Sequence, residues 1–301
     1  MSSDDIPELS HIPERTDPAI ARLIVADANH THGTSYHLVE PMHAGFQAGT
    51  WLLRNGENES AVLKWSPNSS AAPKLLRAAD AVERARDAGY PTPAWLAVGV
   101  AKSGFPYRIQ QYVPGSSPSR LTAEVAERLL PVLEQQRGLD IDPEHCWSRY
   151  ARTRLAGEWD HSRQAMADSG SRGRRFVEAL DALVASFGQV ELPSEDLVHG
   201  DFRLDNVLFR SGRVAAVIDM EALGSGTRAF DYATLLTVDD IDRAGWNLTR
   251  ATGEQVAGPG VLAHCFALAA LDLADFVRQR NPGRLPLIIG PLTDRTVALL
   301  P

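Results

Sequence analysis

The sequence predicts an α+β fold in two lobes, on three observations. Strand-type runs crowd the first third of the chain, helical periodicity dominates the rest, and turn formers cluster between them from Pro114 to Ser119. Residues 1–113 then form an N-terminal lobe of antiparallel sheet with one main helix, and residues 114–301 a mostly helical C-terminal lobe. A length of 301 residues, 44% of them hydrophobic, is enough for a core in each.

Residues 1–16 are polar and acidic and are expected to be mobile. In "DPAIARLIVADA", Asp17 stands as a cap and Pro18 at the first helical position, so a short helix follows. Three β-rich runs between Ser35 and Trp65, broken by a Gly-containing loop at His43 to Thr50 and an Asn55-Gly56 turn, suit an antiparallel meander. "KLLRAADAVERARDAGYP" places Leu75, Leu76, Ala79 and Val82 on one helical stripe, and Gly89 with Pro91 ends it. "AWLAVGV" and "YRIQQYV" read as two more strands. Helices are expected at Leu121 to Gln136, with Pro131 as a kink, and at Trp147 to Glu158, Arg172 to Phe187 and Val261 to Gln279.

A formal charge of −8 argues against a phosphate-backbone footprint, so no nucleic-acid partner is expected, and it favours cationic small molecules. Cys146 and Cys265 have neither disulfide nor metal spacing. The opening residues lack the basic start and apolar run of a signal peptide, and no run is read as membrane-spanning. A cytoplasmic protein, monomer or dimer, without a membrane partner is the expectation.

One β insertion interrupts the helical lobe: "LVHGDFRLDNVLFRSGRVAAVID", Leu197 to Asp219. Polar groups beside such apolar runs are costly unless something satisfies them, and a hard cation would. Ser211-Gly212 reads as a two-residue hairpin turn, and in that register Asn206 and Asp219 share a face as diagonal neighbours roughly 7–8 Å apart. A magnesium-sized ion could sit between them. The other face carries Val207, Phe209, Val214, Ala216 and Ile218, while Asp201 lies in the entering loop, free to face a substrate. Oxygen donors without a His or Cys cluster suit phosphate chemistry better than zinc hydrolysis. Phosphoryl transfer also needs a cation and a backbone cradle for the nucleotide phosphates. Lys64, in the third strand, and the loop from Gly45 to Gly49 are candidates.

"HGDFRLDN", followed by "ID" and by "GSGTRAFDYATLL", with a strand lysine upstream, resembles the aminoglycoside phosphotransferases, which share the protein kinase-like fold. The resemblance implies Asp201 as catalytic base or orienting carboxylate, His199 as a brace of its loop, and Arg203 as a cation near the transferred phosphoryl group. It implies Asn206 and Asp219 as holders of Mg2+, and Lys64 on the α- and β-phosphates of ATP or GTP. Gly45, Gln47 and Gly49 would cover the phosphates, and backbone groups of Gln111, Tyr112 and Val113 would meet adenine. Asp231 would hold the catalytic loop by hydrogen bonds. The loop lacks the three-glycine spacing of protein kinases, the acidic partner of Lys64 is expected on the following helix, where Asp80 and Glu83 are the candidates and could equally be surface acids paired with Arg84 or Arg86, and "VLEQQRG" replaces a Leu-His pair common in relatives.

Only eleven residues separate Asp219 from Asp231, too few for a peptide-presenting segment, so the acceptor should be a small molecule. An aminoglycoside-type antibiotic is the first expectation, with Asp239, Asp240, Asp272 and Asp275 as acids that could meet its amino groups. The alternatives are a kinase of a macrolide, homoserine, an amino alcohol or a sugar, and a catalytically idle nucleotide-binding scaffold.

Overall fold

The computed structural model describes residues 14–42 and 49–301. The chain divides into two compact units, Met1–Gly115 with Ala216–Glu221, and Ser116–Ala215 with Ala222–Pro301. The sequence places the Ala216–Glu221 stretch in the second lobe, whereas it packs with the first unit: the Val217 N–H donates to the Pro91 carbonyl at 2.6 Å, and Asp219 is held by Lys64 and Arg108.

In the first unit, helix α1 (Pro18–His32) starts where the Asp17 carboxylate accepts the Ala19 N–H at 2.8 Å. Strands β1 (His37–Met42), β2 (Thr50–Arg54) and β3 (Ser60–Trp65), helix α2 (Ala72–Asp87), and strands β4 (Trp95–Val100) and β5 (Pro106–Gln111) follow. The five strands make one antiparallel sheet in the order β1-β2-β3-β5-β4. The turn after β2 is longer than a two-residue hairpin: the Asn55 side chain accepts the N–H groups of Glu57 and Glu59, and Asn58 is left-handed at φ 64°. Ile20, Ile24 and Val25 of α1 join Trp51, Leu53, Leu63 and Ile109 of the sheet in one core. On α2 the buried face is Leu75, Ala78, Ala81, Val82 and Ala85, while Leu76 is 45% exposed. The expected stripe is therefore rotated. Alanines carry little hydrophobic signal, yet their small size suits a helix packed against β4.

The second unit contains α3 (Ala123–Glu134), α4 (Trp147–Thr153), α5 (Asp160–Ala167), α6 (Ser171–Phe187), β6 (Asp196–Val198), β7 (Val207–Arg210), most of β8 (Arg213–Val217), β9 (Gly224–Gly226), α7 (Ala229–Leu236), α8 (Arg243–Ala257), α9 (Pro259–Arg280) and α10 (Leu285–Ala298). Pro131 lies inside α3. The helix expected from Trp147 to Glu158 stops being α-helical at Arg154, and the chain turns at Gly157, φ 135°, before α5. Helices α5, α7, α8 and α10 and the short β6–β9 pair have no counterpart in the sequence reading. Helix α9 corrects another expectation, since by length and composition it could cross a membrane; 67% of that apolar window is buried inside the protein, as in a core helix.

Strands β7 and β8 pair across Ser211 and Gly212, whose φ values of 51° and 73° define a type I′ turn. Val207 and Ala216 of the expected apolar face are buried, while Phe209, Val214 and Ile218 are half-buried. Val217, on the opposite parity, is fully buried as well.

Candidate active site

In the second unit, β6 runs antiparallel to β9 and ends in the segment His199–Asn206. Its first turn is anchored from below. Asp231, in the first turn of α7 and fully buried, accepts the N–H groups of His199 at 2.7 Å and Gly200 at 3.0 Å and the side-chain amide of Gln136 at 2.8 Å. Burial pushes the Asp231 carboxyl above the usual range, with His199 and the three donors opposing. Gly200 has φ 81°, and a Cβ there would lie 2.1 Å from a carbon of the Trp147 ring, so no other residue fits without displacement.

The buried His199 imidazole accepts the Asp201 N–H on Nδ1 at 3.1 Å, which requires the proton on Nε2. Its ring packs edge-on to buried Phe202. Asp201 is exposed, and its carbonyl accepts the Arg203 N–H at 2.9 Å. The Asn206 amide nitrogen donates to that same carbonyl at 2.8 Å and to the Asp201 carboxylate at 3.2 Å. His199, Asp201, Arg203 and Asn206 thus lie on one hydrogen-bonded turn. Arg203 is half-buried.

In the first unit, Lys64 of β3 lies opposite Arg108 of β5, and both reach Asp219 Oδ1, Arg108 at 2.9 Å. Asp219 is left-handed at φ 65°, an uncommon conformation for a residue other than glycine. The Arg108 guanidinium is 1% exposed; it also pairs with Glu221, donates to Gln110 at 3.0 Å and stacks over the Trp95 ring at 4.9 Å. The carboxylate bound to Lys64 is therefore Asp219, rather than Asp80 or Glu83 of α2. Those two instead line a cleft with Trp95 and Val98. Helix α2 reaches this group through Arg77, which donates to the Glu221 carbonyl at 3.1 Å.

Of the other expected positions, Gly45 and Gln47 lie outside the described residues, and Gly49 is left-handed at φ 105°, where a Cβ would strike Arg15. The Gln111 N–H donates to the Ala94 carbonyl at 2.8 Å and that of Tyr112 to the Ser60 carbonyl at 3.4 Å. Of the backbone groups expected to meet adenine, the amides of Gln111 and Tyr112 are thus already engaged.

The four acids of the helical unit each carry a cation. Asp239 pairs with Arg284, Asp240 with Arg120 at 3.0 Å, Asp272 with Arg154 at 3.3 Å, and Asp275 with Arg278 at 2.7 Å. Asp272 also accepts the Tyr150 hydroxyl at 2.9 Å, and burial raises its pKa while that hydroxyl and Arg154 lower it.

Arg108, Glu221, Gln136 and Trp147 are absent from the sequence reading of the site. A charged residue second in the strand run "YRIQQYV" was a visible signal for Arg108, and Gln136 falls in the stretch that departs from relatives. Nothing local marked Glu221 or Trp147.

A sheet unit whose strand lysine holds a carboxylate, and a helical unit with a buttressed His-Gly-Asp turn, define a protein of the protein kinase-like fold. The chain belongs to the phosphotransferase enzyme family, whose sequence profile matches residues 39–265. By that membership it is a small-molecule kinase. Similar folds are seen in a thermostable mutant of aminoglycoside phosphotransferase APH(4)-Ia in ternary complex with AMP-PNP and hygromycin B, 19% identical, covering 91% of this chain and 97% of that one with a TM-score of 0.68. A macrolide 2'-phosphotransferase from Brachybacterium faecium is 16% identical, with 92% and 96% covered and a TM-score of 0.58. A putative aminoglycoside phosphotransferase from Ralstonia eutropha is 18% identical, with 89% and 95% covered and a TM-score of 0.55. No curated protein sequence matches the chain.

Proposed function

We propose that the protein transfers the γ-phosphate of ATP or GTP, with Mg2+, to a hydroxyl of a small molecule. The observation that carries this is the His199–Asn206 turn: an exposed carboxylate at Asp201 whose backbone is pinned by His199, Arg203 and Asn206. Asp201 would accept or orient the acceptor hydroxyl proton, since its residue is exposed while its amide is held by His199 and its carbonyl by Asn206. His199 keeps the Asp201 amide in place through Nδ1. Asn206 donates its NH2 to Asp201, which leaves its amide oxygen as the atom for a cation. Arg203 would carry positive charge toward the transferred group.

Magnesium is the cation that the donor chemistry of these residues would suit. Asn206 and Asp219 each offer a hard oxygen donor, and they would hold the ion together with phosphate oxygens of the nucleotide. When bound, Mg2+ neutralises charge on the phosphate oxygens. Lys64 would exchange Asp219 for the α- and β-phosphates, and Val113 would offer its N–H to adenine, the neighbouring amides being taken.

An aminoglycoside-type acceptor is one reading. The arginine partners of Asp239, Asp240, Asp272 and Asp275 favour a second, a less highly charged acceptor such as a macrolide, because amino groups would have to displace those guanidiniums. Nucleoside diphosphate release with Mg2+ and ATP or GTP, against aminoglycosides, macrolides, homoserine, choline and methylthioribose, tests both. Acceptor-stimulated release that falls by about 10²–10⁴-fold in Asp201→Ala is expected. For a polycationic acceptor KM should rise steeply with salt, and for one carrying at most a single charge it should change little. Nucleotide binding without stimulation by any acceptor would instead favour an idle scaffold.

A further inference from the structure

A guanidinium at 1% exposure in the middle of a sheet needs a reason, because burying a cation is costly unless carboxylates and hydrogen bonds surround it. Arg108 has such an environment, and its planar fork is used on three sides: Nε toward Gln110, one terminal nitrogen toward Asp219 and the other toward Glu221. The two carboxylates belong to residues separated only by Met220. One arginine therefore grips both sides of a three-residue bend whose first residue, Asp219, is held at φ 65°.

That backbone conformation costs about 1–2 kcal/mol for a residue with a Cβ, and it persists only where surrounding contacts over-determine it. The contacts here are Arg108 on the two side chains, Arg77 on the Glu221 carbonyl, and the Lys64 ammonium. Lys64 differs from the other two. It is 20% exposed on a flexible stem, and under the proposed function it leaves Asp219 when phosphates arrive. Arg108 is locked by the Trp95 ring and the sheet and has nowhere else to go.

We infer that Arg108, counterbalanced by Glu221, is a positioning residue that keeps the Asp219 carboxylate in its metal-holding orientation once Lys64 has turned to the nucleotide. The inference rests on the reading of Asp219 as a magnesium ligand. Helix α2 supports this bend through Arg77.

The test measures nucleotide affinity calorimetrically with a non-hydrolysable ATP analogue, with and without Mg2+, in the full-length protein, together with the Mg2+ dependence of turnover and the thermal midpoint. Asp219→Asn is the reference, and it should abolish the gain in affinity that Mg2+ confers. Arg108→Gln and Glu221→Gln should each reduce that gain by tenfold or more while leaving metal-free affinity within about threefold. The Mg2+ concentration for half-maximal rate should rise more than kcat falls. Arg108→Lys keeps the charge but loses the fork, and it should restore the thermal midpoint better than the Mg2+ gain. A purely structural Arg108 would lower the midpoint and leave the Mg2+ gain at wild-type size, which overturns the inference. If Arg108→Gln fails to fold, Arg108→Lys and Glu221→Gln decide by the same ratio. A Mg2+ gain that survives Asp219→Asn would overturn the metal assignment itself, a result separable from failure at Arg108 alone.

Discussion

Gly200→Ala is the most discriminating single change in the helical unit. Gly200 sits at φ 81°, where an L-residue with a Cβ costs about 1–2 kcal/mol. The added carbon would lie 2.1 Å and 2.5 Å from two Trp147 ring carbons, where ordinary contact is roughly 3.5–4.0 Å. The ring cannot easily retreat, since its N–H donates to the Ala222 carbonyl at 2.9 Å and it packs on Phe230 at 4.7 Å between centroids. Overpacking of this kind adds about 1–3 kcal/mol, for a total of about 2–5 kcal/mol. In a unit of this size that lowers the thermal midpoint by about 4–20 °C. A double-mutant cycle with Trp147→Leu separates the two parts: without the ring, Gly200→Ala should cost only its backbone share, giving a coupling of about 1–3 kcal/mol. Urea unfolding of the four proteins measures it. Equal costs in both backgrounds would show that Gly200 does not make room for Trp147, and no cost in either would refute the left-handed backbone as well.

Two further outcomes follow from buried titratable groups. Because burial raises the Asp231 pKa above its unfolded value, the folded state binds that proton more tightly; its contribution is full below the usual carboxylate range and is lost as pH rises through the folded value. The penalty of Asp231→Asn, which leaves one oxygen for three donors, should therefore shrink as pH rises, and a penalty in urea titrations that grows instead would contradict this. Burial, with Asp231 nearby, pushes the Cys265 thiol up to about 12, so only Cys146, which is half-buried, should react with a thiol reagent at pH 8 in the folded protein, and both after unfolding. Rapid native labelling of Cys265 would contradict the enclosure of α9.

Local chemistry made much of the protein legible in its sequence. Asp17 and Pro18 start a helix through bonds within three residues, Ser211-Gly212 closes a hairpin by its own backbone preference, and alternating apolar residues announce the sheet. The His199–Asn206 turn was legible too, because its hydrogen bonds run mainly between residues at most five apart. The register of α2 was less so, since its buried face is mostly alanine. What only the tertiary structure decided are the pairings over long separations: Lys64 and Arg108 on Asp219, Gln136 on Asp231, and Arg284, Arg120 and Arg154 on Asp239, Asp240 and Asp272, whereas the Asp275–Arg278 pair is local to one helix. Spacing along the chain can place a charge on a face, but the partner of a buried or half-buried charge is whichever opposite group the packing brings within hydrogen-bonding distance, and that is set by the folded chain as a whole.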